Sequence, residues 1–339
     1  TSFFDMAFDD EEDEDAEYEV YESILDEALT SLPKIMLSWH YRSKDESLIA
    51  FSNKEIYHDL TSFPSCIKKE GLGLRYEYVA NGQYIHGKRI NENEARKVVD
   101  LVMEIARNYP DKSLGVVTFN MAQQSYIERL IHHERLRNQE YEEFFSSDKN
   151  EAFFVKNLES VQGDERDIII LSTTFGPDAS GKLSLNFGPI NNDGGYRRLN
   201  VAITRAKESV ILASSLRPDL FNLAKITNKG VIMLHDYIEF ASSVKAYEFK
   251  ENESDNGMIK SIARFLNEHE YKTVKNIGYS GYKIDLAVLD PKDDSHIILG
   301  ILTDGENYQH LKTVKDRNIL IDSALSQRGW VLYHAWSLP

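Results

Sequence analysis

Four short polar stretches carry most of the side chains in this 339-residue chain that could do chemistry. They are HYRS with Tyr41 and Arg42, FNMAQQ with Asn120 and Gln123, QGDE with Gln162, Gly163 and Glu165, and RRLNVAITRAK from Arg197 to Lys207. Arg197, Arg198, Arg205 and Lys207 of the last stretch are met in sequence only by Glu208, just past it. If a helix begins near Tyr196, Arg198 and Arg205 lie about two turns apart and share a face. Two guanidinium groups on one face repel each other unless an anion sits with them. Arginines held near a strand edge, a glycine that lets backbone approach closely and one carboxylate are equipment for gripping a polyphosphate. The arginines would neutralise charge on a transferred phosphoryl group, and the carboxylate could hold a ribose hydroxyl. The loop GxxxxGK[ST], which cradles β- and γ-phosphates, occurs nowhere in the chain. The chain therefore carries half of such a site.

The elements that must position these residues read as an open α/β fold. Tyr18–Thr30 has helical spacing, and Leu32–Ser43 reads as a strand breaking at His40–Tyr41–Arg42, with a helix from about Asp45 to Phe51. Glu94–Tyr109 is amphipathic, with Ala95, Val98, Val99, Val102 and Ile105 inward. Ser113–Phe119 reads as a buried strand, followed by a polar helix from Met121 to about Tyr141. Phe153–Gly176 reads as two strands joined at Gln162–Glu165, and its DIIIL run suits a central parallel strand covered on both faces. Ser209–Ser215 reads as one more buried strand. Strands alternating with helices imply a doubly wound sheet, whose ligands gather outside the carboxyl ends of the strands, where the four polar stretches are expected.

Length suggests at least two domains. The change of composition at Val244–Asn256 marks a linker, which divides an inter-element segment (1–31) and a first domain (32–243) from a second unit at 257–339. In that unit Met258–Glu268 is a helix, Tyr282–Asp290 and Ile297–Gly305 are strands, and helix Thr313–Arg328 and strand Trp330–Trp336 close it. No apolar run approaches the ~20 residues of a membrane span, so no membrane is expected. A single cysteine, Cys66, excludes an internal disulfide and a thiolate metal cluster and fits a cytoplasmic location. His132, His133 and His310 have no partner acids or cysteines at ligand spacing, so no metal is expected there. The net charge of −16 argues against a uniformly basic surface, and any nucleic-acid contact must come from a local groove. Part of that charge is the run Asp9–Asp15, which reads as a solvated loop.

In order and spacing the four stretches resemble the second RecA-like domain of superfamily 1 helicases, nearest the Upf1-like and Dna2-like branch, over roughly Leu32 to Ser242. LSWHYRS resembles motif IV, Glu159–Ser172 motif V and Arg197–Val210 motif VI. The resemblance implies a RecA-like, P-loop NTPase-type parallel sheet with helices on both faces. It implies ATP with Mg2+ bound between this domain and an N-terminal RecA-like domain of the same protein, and movement along single-stranded nucleic acid, with DNA favoured over RNA. Arg205 would be the arginine finger and Arg42 a second γ-phosphate contact. Tyr41, Gly163 and Glu165 would complete the nucleotide side, while Thr118, Asn120, Gln123 and Gln162 would face nucleic acid. Thr1–Phe4 resembles the segment just after motif III, which implies that the chain begins between two motor domains. On residues alone, Arg42 could instead pair with Asp45, and Glu165 could cap a helix.

Residues 257–339 resemble the Vsr-like PD-(D/E)XK, restriction-endonuclease-like domain, a small α/β fold. Ile284–Val288, Thr303–Tyr308, Thr313–Asn318 and the Trp330 and Trp336 stretches carry the likeness. Asp285 and Asp304 would be two of the carboxylates that hold Mg2+ in such nucleases. A third acid is replaced by Leu302, the acid of the first helix by Ile259, and a histidine by Gln309. The departures favour a degenerate nuclease that binds DNA or a partner without cutting. An active Mg2+-dependent nuclease, or a non-enzymatic adaptor that kept the fold, are the other readings. Retention of Arg42, Glu165 and Arg205 together weighs against the adaptor.

Overall fold

The computed structural model describes residues 24–35, 37–68, 72–244, 249, 251–253, 256–279, 282–309 and 313–337. Thr1–Phe4, the acidic run Asp9–Asp15 and His310 lie outside them. Residues 1–38 and 39–339 form two units by their internal contacts. In the first, helix α1 (Ile24–Ser31) leaves Ile24, Leu25 and Leu29 exposed. Among the described residues the strand expected over Leu32–Ser43 does not form: Leu32, Ile35 and Leu37 are exposed, and pairing is limited to an isolated bridge between Trp39 and Thr61. An extended apolar segment becomes a strand only where a neighbour completes its ladder, and here none does.

In the second unit the chain runs through α2 (Ser47–Ser52), β1 (Gly73–Tyr78), α3 (Glu92–Asn108), β2 (Leu114–Thr118), α4 (Met121–Arg137), β3 (Phe154–Asn157), β4 (Arg166–Ser172), α5 (Gly195–Ile203), β5 (Ala206–Ser214) and α6 (Lys229–Ser243). The strands form one sheet in the order β1-β5-β4-β2-β3, parallel throughout. Successive side chains of a strand point to opposite faces. In β4, Ile168 and Ile170 pack with Val98, Val102 and Ile127 of α3 and α4, whereas Ile169 and Leu171 pack with Leu48, Leu199, Ala202 and Leu234 of α2, α5 and α6. Two apolar faces explain the unbroken DIIIL run. The strand β1 was hidden from sequence reading because Arg75, Tyr76 and Glu77 interrupt its apolar pattern at the sheet edge. The two strands around Gln162–Glu165 are not paired with each other; β2 lies between them.

A second sheet follows α7 (Gly257–Glu268), built from β6 (Thr273–Ile277), β7 (Ile284–Asp290), β8 (Asp293–Thr303) and, after α8 (Glu306–Gln309) and α9 (Ile321–Ser326), β9 (Leu332–Ala335). Its order is β6-β7-β8-β9, with the first three antiparallel and β9 parallel to β8. The helix expected over Thr313–Arg328 forms from Val314 to Ser326, winding as a π-helix over Asp316–Leu320 before continuing as α9. Leu302 and Ile259, which stand where acids were expected, are both buried in the core on opposite faces of this sheet.

The small domain shares its core with the segment before β1. Phe63 and Cys66 are buried among Ile277, Tyr282, Ile284, Leu325 and Trp330, with Trp39 packed against them. Tyr282 N donates to Ser62 O at 3.2 Å, Lys68 N to Ser295 O at 2.8 Å, and the Trp330 indole to Pro64 O at 2.9 Å. The two sheets are therefore joined by apolar contact and backbone pairing through residues 60–68. The 42% hydrophobic fraction is enough to furnish both cores.

Candidate functional site

Because every strand of the first sheet runs the same way, the turns at its two ends form separate surfaces. Gln162, Gly163 and Glu165 lead into β4, and Arg205 immediately precedes β5. They lie at the amino ends of the strands, not at the carboxyl ends where such residues were expected. The polar FNMAQQ stretch follows β2 and does sit at the carboxyl edge. The four stretches thus divide into two groups separated by the sheet.

At the amino edge Arg42 Nε meets Glu165 Oε2 at 3.2 Å, and Lys207 Nζ lies 3.8 Å from Glu165 Oε1. Arg205 is half-buried. Its Nε donates to Val201 O at 2.8 Å and its Nη1 to Asp164 O at 3.5 Å. Burial first, and then the neighbouring Arg42 guanidinium, lower the Arg205 pKa from its ordinary value. The helix stops at Ile203, so Arg205 lies past its end and does not share a helical face with Arg198, which donates to Asp193 O at 3.0 Å. The second bond of Arg205 instead ties it to the turn that carries Glu165. Gly163 adopts φ +90° with open space around it, so the residue is needed for backbone conformation and leaves the turn accessible. Gln162 is exposed on the same turn, and Tyr41 is exposed beside Arg42.

The Arg42 loop is braced on both sides. Asp45 is fully buried and pairs with Lys68 at 2.6 Å, not with Arg42. Lys44 N donates to Lys207 O at 2.7 Å, and Lys44 Nζ pairs with Glu208. His40 Nε2 accepts from Ser43 N at 3.2 Å and lies 2.8 Å from Ser43 Oγ. Burial, with Arg328 and Arg42 nearby, pushes His40 down to about 4, so the ring is neutral at physiological pH and free to accept.

At the carboxyl edge Asn120 caps α4, accepting from Gln123 N at 2.8 Å and donating to Arg89 O at 3.1 Å. It lines a cavity of about 410 Å3 with Tyr84, His86, Arg89, Phe119 and Phe175. Tyr84 packs against both His86 and Phe175, with ring centres 4.9 Å apart in each case. Two residues beside this cavity, Arg89 and Thr174, hold positive φ of 57° and 67° without being glycine. Such backbone persists only where the surroundings impose it, and it concentrates at functional sites. Here Glu94, fully buried, accepts from Thr174 N at 2.6 Å, Ser172 Oγ at 2.7 Å and Ser215 N at 3.1 Å, tying the ends of β4 and β5 together.

Thr118 and Gln123, expected to face nucleic acid, are both buried. Thr118 Oγ1 donates to Asn120 O, and the Gln123 amide exchanges hydrogen bonds with the Asn91 backbone. Neither side chain reaches the surface: Thr118 is held by Asn120 and Gln123 by Asn91. Tyr84, His86 and Arg89 are absent from the sequence candidates; the signal for them is the interleaving of aromatic and basic residues in QYIHGKR.

In the small domain both Asp285 oxygens are engaged. Oδ2 accepts from Thr303 N at 2.7 Å and Thr303 Oγ1 at 2.9 Å, and Oδ1 accepts from Asn307. Burial raises its pKa. Asp304 is partly exposed and held by Ser337. Among the described residues, a different trio, His235, Asp236 and Glu239 on α6, brings possible ligand atoms within 4.8 Å of one another. No helix of the described residues is long and apolar enough to cross a membrane.

An all-parallel five-stranded sheet flanked by helices on both faces is consistent with a RecA-like helicase domain, and here it is followed by a small α/β domain. Residues 18–217 match the family described as AAA domain (AAA_12), and the chain belongs to that family. Residues 259–338 match REase_MTES_1575. The chain is 37% identical over 242 residues to the uncharacterized ATP-dependent helicase MG140 of Mycoplasma genitalium, and 35% identical over 242 residues to its homolog in Mycoplasma pneumoniae. Each alignment covers 69% of this chain and 21% of the relative, so the chain spans about a fifth of the length of these curated relatives. It is 28% identical over 145 residues to the DNA polymerase alpha-associated DNA helicase A of Saccharomyces cerevisiae, covering 42% of this chain and 18% of that protein. The C-terminal domain of a possible DNA helicase from Lactobacillus plantarum WCFS1 aligns over 56% of this chain and 96% of its own at 12% identity. Its TM-score of 0.30 is too low to carry an argument.

Proposed function

We propose that this chain is the second motor domain of an ATP-dependent superfamily 1 helicase, followed by a nuclease-like domain that binds without cutting. The observation that carries the reading is the Arg42–Glu165 ion pair at 3.2 Å on the amino edge, with Arg205 Nη1 3.5 Å from the carbonyl of Asp164, the residue before Glu165. Two guanidinium groups beside one carboxylate leave net positive charge, and half-burial makes an anion there worth more than it would be in water. Helicase names among the relatives support the same reading.

The residues present fit the terminal phosphate of ATP and not the whole nucleotide. Arg42 and Arg205 would hold γ-phosphate oxygens in a fixed fork geometry. The turn at Gly163 admits close backbone approach, with Glu165 and Tyr41 beside it. The phosphate-cradling loop would come from an N-terminal RecA-like domain of the same protein. Mg2+ bound with the nucleotide would neutralise charge on its β- and γ-oxygens. Glu165 and Asp164 are already paired with cations, Asp164 with Lys156 at 2.6 Å, so neither of the two carboxylates of this turn is free for the metal. At the opposite edge the aromatic cavity with His86, Arg89 and Asn120 would hold single-stranded nucleic acid by stacking and charge. Gln162, on the nucleotide side of the sheet, would then act at the γ-phosphate edge. Closing of the arginines on the phosphate, and their release after hydrolysis, would shift one edge relative to the strand held at the other.

The test is single-strand-stimulated ATP hydrolysis by the full-length protein, with and without Arg205→Ala. Stimulated turnover that collapses in the variant supports the motor; turnover that ignores Arg205 sinks it.

A further inference from the structure

The loop that carries Arg42 is held by a residue of the small domain. Arg328, just past α9, donates from Nη1 to Ser43 O at 2.8 Å and from Nη2 to Tyr41 O at 3.4 Å. The two carbonyls flank Arg42 in sequence. Arg328 is itself fixed: its guanidinium lies over the Phe63 ring at 5.9 Å, and its backbone carbonyl accepts from the Cys66 thiol at 3.1 Å. A second grip lies just past the loop, where Tyr279 N of the small domain donates to Glu46 Oε2 at 2.8 Å. Glu46 also accepts from Ser62 Oγ at 2.7 Å. Between the loop and Arg328, Tyr41, Arg42, Lys44, Cys66, Lys112 and Arg328 line part of a cavity of about 510 Å3, so space remains for the loop to move if its bonds are lost.

We propose that Arg328 is a positioning residue for phosphate contact by Arg42, and that through it the nuclease-like domain sets the competence of the motor site. The inference rests on the reading of Arg42 and Arg205 given above. A guanidinium that bonds two backbone carbonyls fixes the loop by main chain, so Arg42 is aimed without any contact between Arg328 and the phosphate. A domain that has lost nuclease acids but keeps this grip has a reason to remain attached: displacing it would free the loop and slow hydrolysis. Anything bound to the small domain that shifts the turn at Arg328 would then change turnover at the other site.

The experiment has two readouts. Amide hydrogen exchange on this chain compares wild type with Arg328→Ala and Arg328→Lys at Tyr41–Lys44. Loss of the fork should speed exchange there and leave β2 and β4 protected. In parallel, ATP turnover by the full-length protein should lose kcat by on the order of tenfold to a hundredfold in Arg328→Ala with little change in KM, the scale expected when a group is misplaced by about 1 Å. Lysine keeps the charge and one bond but not the fork, so Arg328→Lys should fall between; it also serves if the alanine variant does not fold. Normal kcat in both variants, while Arg205→Ala is inactive, overturns the positioning role and leaves the motor intact. Turnover untouched by Arg205→Ala overturns the motor reading and this inference with it. Unchanged exchange at Tyr41–Lys44 overturns the brace itself.

Discussion

Arg42 Nε and Glu165 Oε2 stand 3.2 Å apart across the amino edge of the sheet, both about half-exposed, and Arg42 acts electrostatically on Arg205 behind them. The pair joins two stretches far apart in sequence, and its carboxylate offsets the repulsion between the two arginines.

Removing either arginine should therefore affect turnover far more than folding. Arg205→Ala in the full-length protein is expected to lower ATP turnover by on the order of 10³-fold. Arg42→Ala should cost well under about 1 kcal/mol of stability, because a half-exposed ion pair contributes little. Denaturant unfolding beside steady-state hydrolysis separates the two effects. Equal losses in both would mean that the arginines hold the fold and not a phosphate.

Acid should loosen the Arg42 loop through His40. The folded protein holds its imidazole at about 4, against 6.5 for the ordinary group. Between those values the unfolded chain takes up a proton that the folded chain refuses, so stability is fully present above 6.5 and falls as pH drops through the window. His40→Gln, which can still accept from Ser43, should show a shallower loss. Urea midpoints near pH 5 and pH 7.5 decide it; parallel pH dependence in the two proteins would assign the loss to other groups.

Nucleic-acid binding at the carboxyl edge is open to a salt titration. Arg89→Ala should weaken binding of an oligothymidine uniformly and reduce the salt slope by about one charge contact. His86→Ala should lose about 1–3 kcal/mol of stacking with less change in slope. Fluorescence anisotropy over a range of salt reads both. Wild-type affinity in both variants would move the track elsewhere.

The small domain should not nick DNA. Asp285 already accepts three hydrogen bonds, and Leu302 fills the core where a ligand would stand. Supercoiled plasmid incubated with Mg2+ should stay intact. Nicking that EDTA abolishes and Asp304→Ala removes would restore the nuclease reading.

Glu94→Gln should destabilise the first sheet by about 1–3 kcal/mol, because an amide presents N–H where Thr174 N or Ser215 N already donates. The hydroxyl partners can rotate to adapt; the backbone donors cannot. A melting temperature equal to wild type would show that this buried carboxylate is not the tie between β4 and β5.

The sequence alone determined the elements whose spacing carries their own period. The inward positions of α3, the DIIIL strand and the opening helix of the small domain all follow from local alternation, which survives in any tertiary setting. The polar residues that line the amino edge were legible too, since Arg42, Glu165 and Arg205 were each named from their stretches. What the tertiary structure decided is where those groups meet. Spacing along a chain does not encode strand order or direction, so only the sheet put Glu165 and Arg205 at amino ends and Asn120 at a carboxyl end. Gln123 is turned inward by the Asn91 backbone, 32 positions away. The bond from Arg328 to the Arg42 loop spans 285 positions; at that distance in sequence only the shared core of the two sheets brings the partners together.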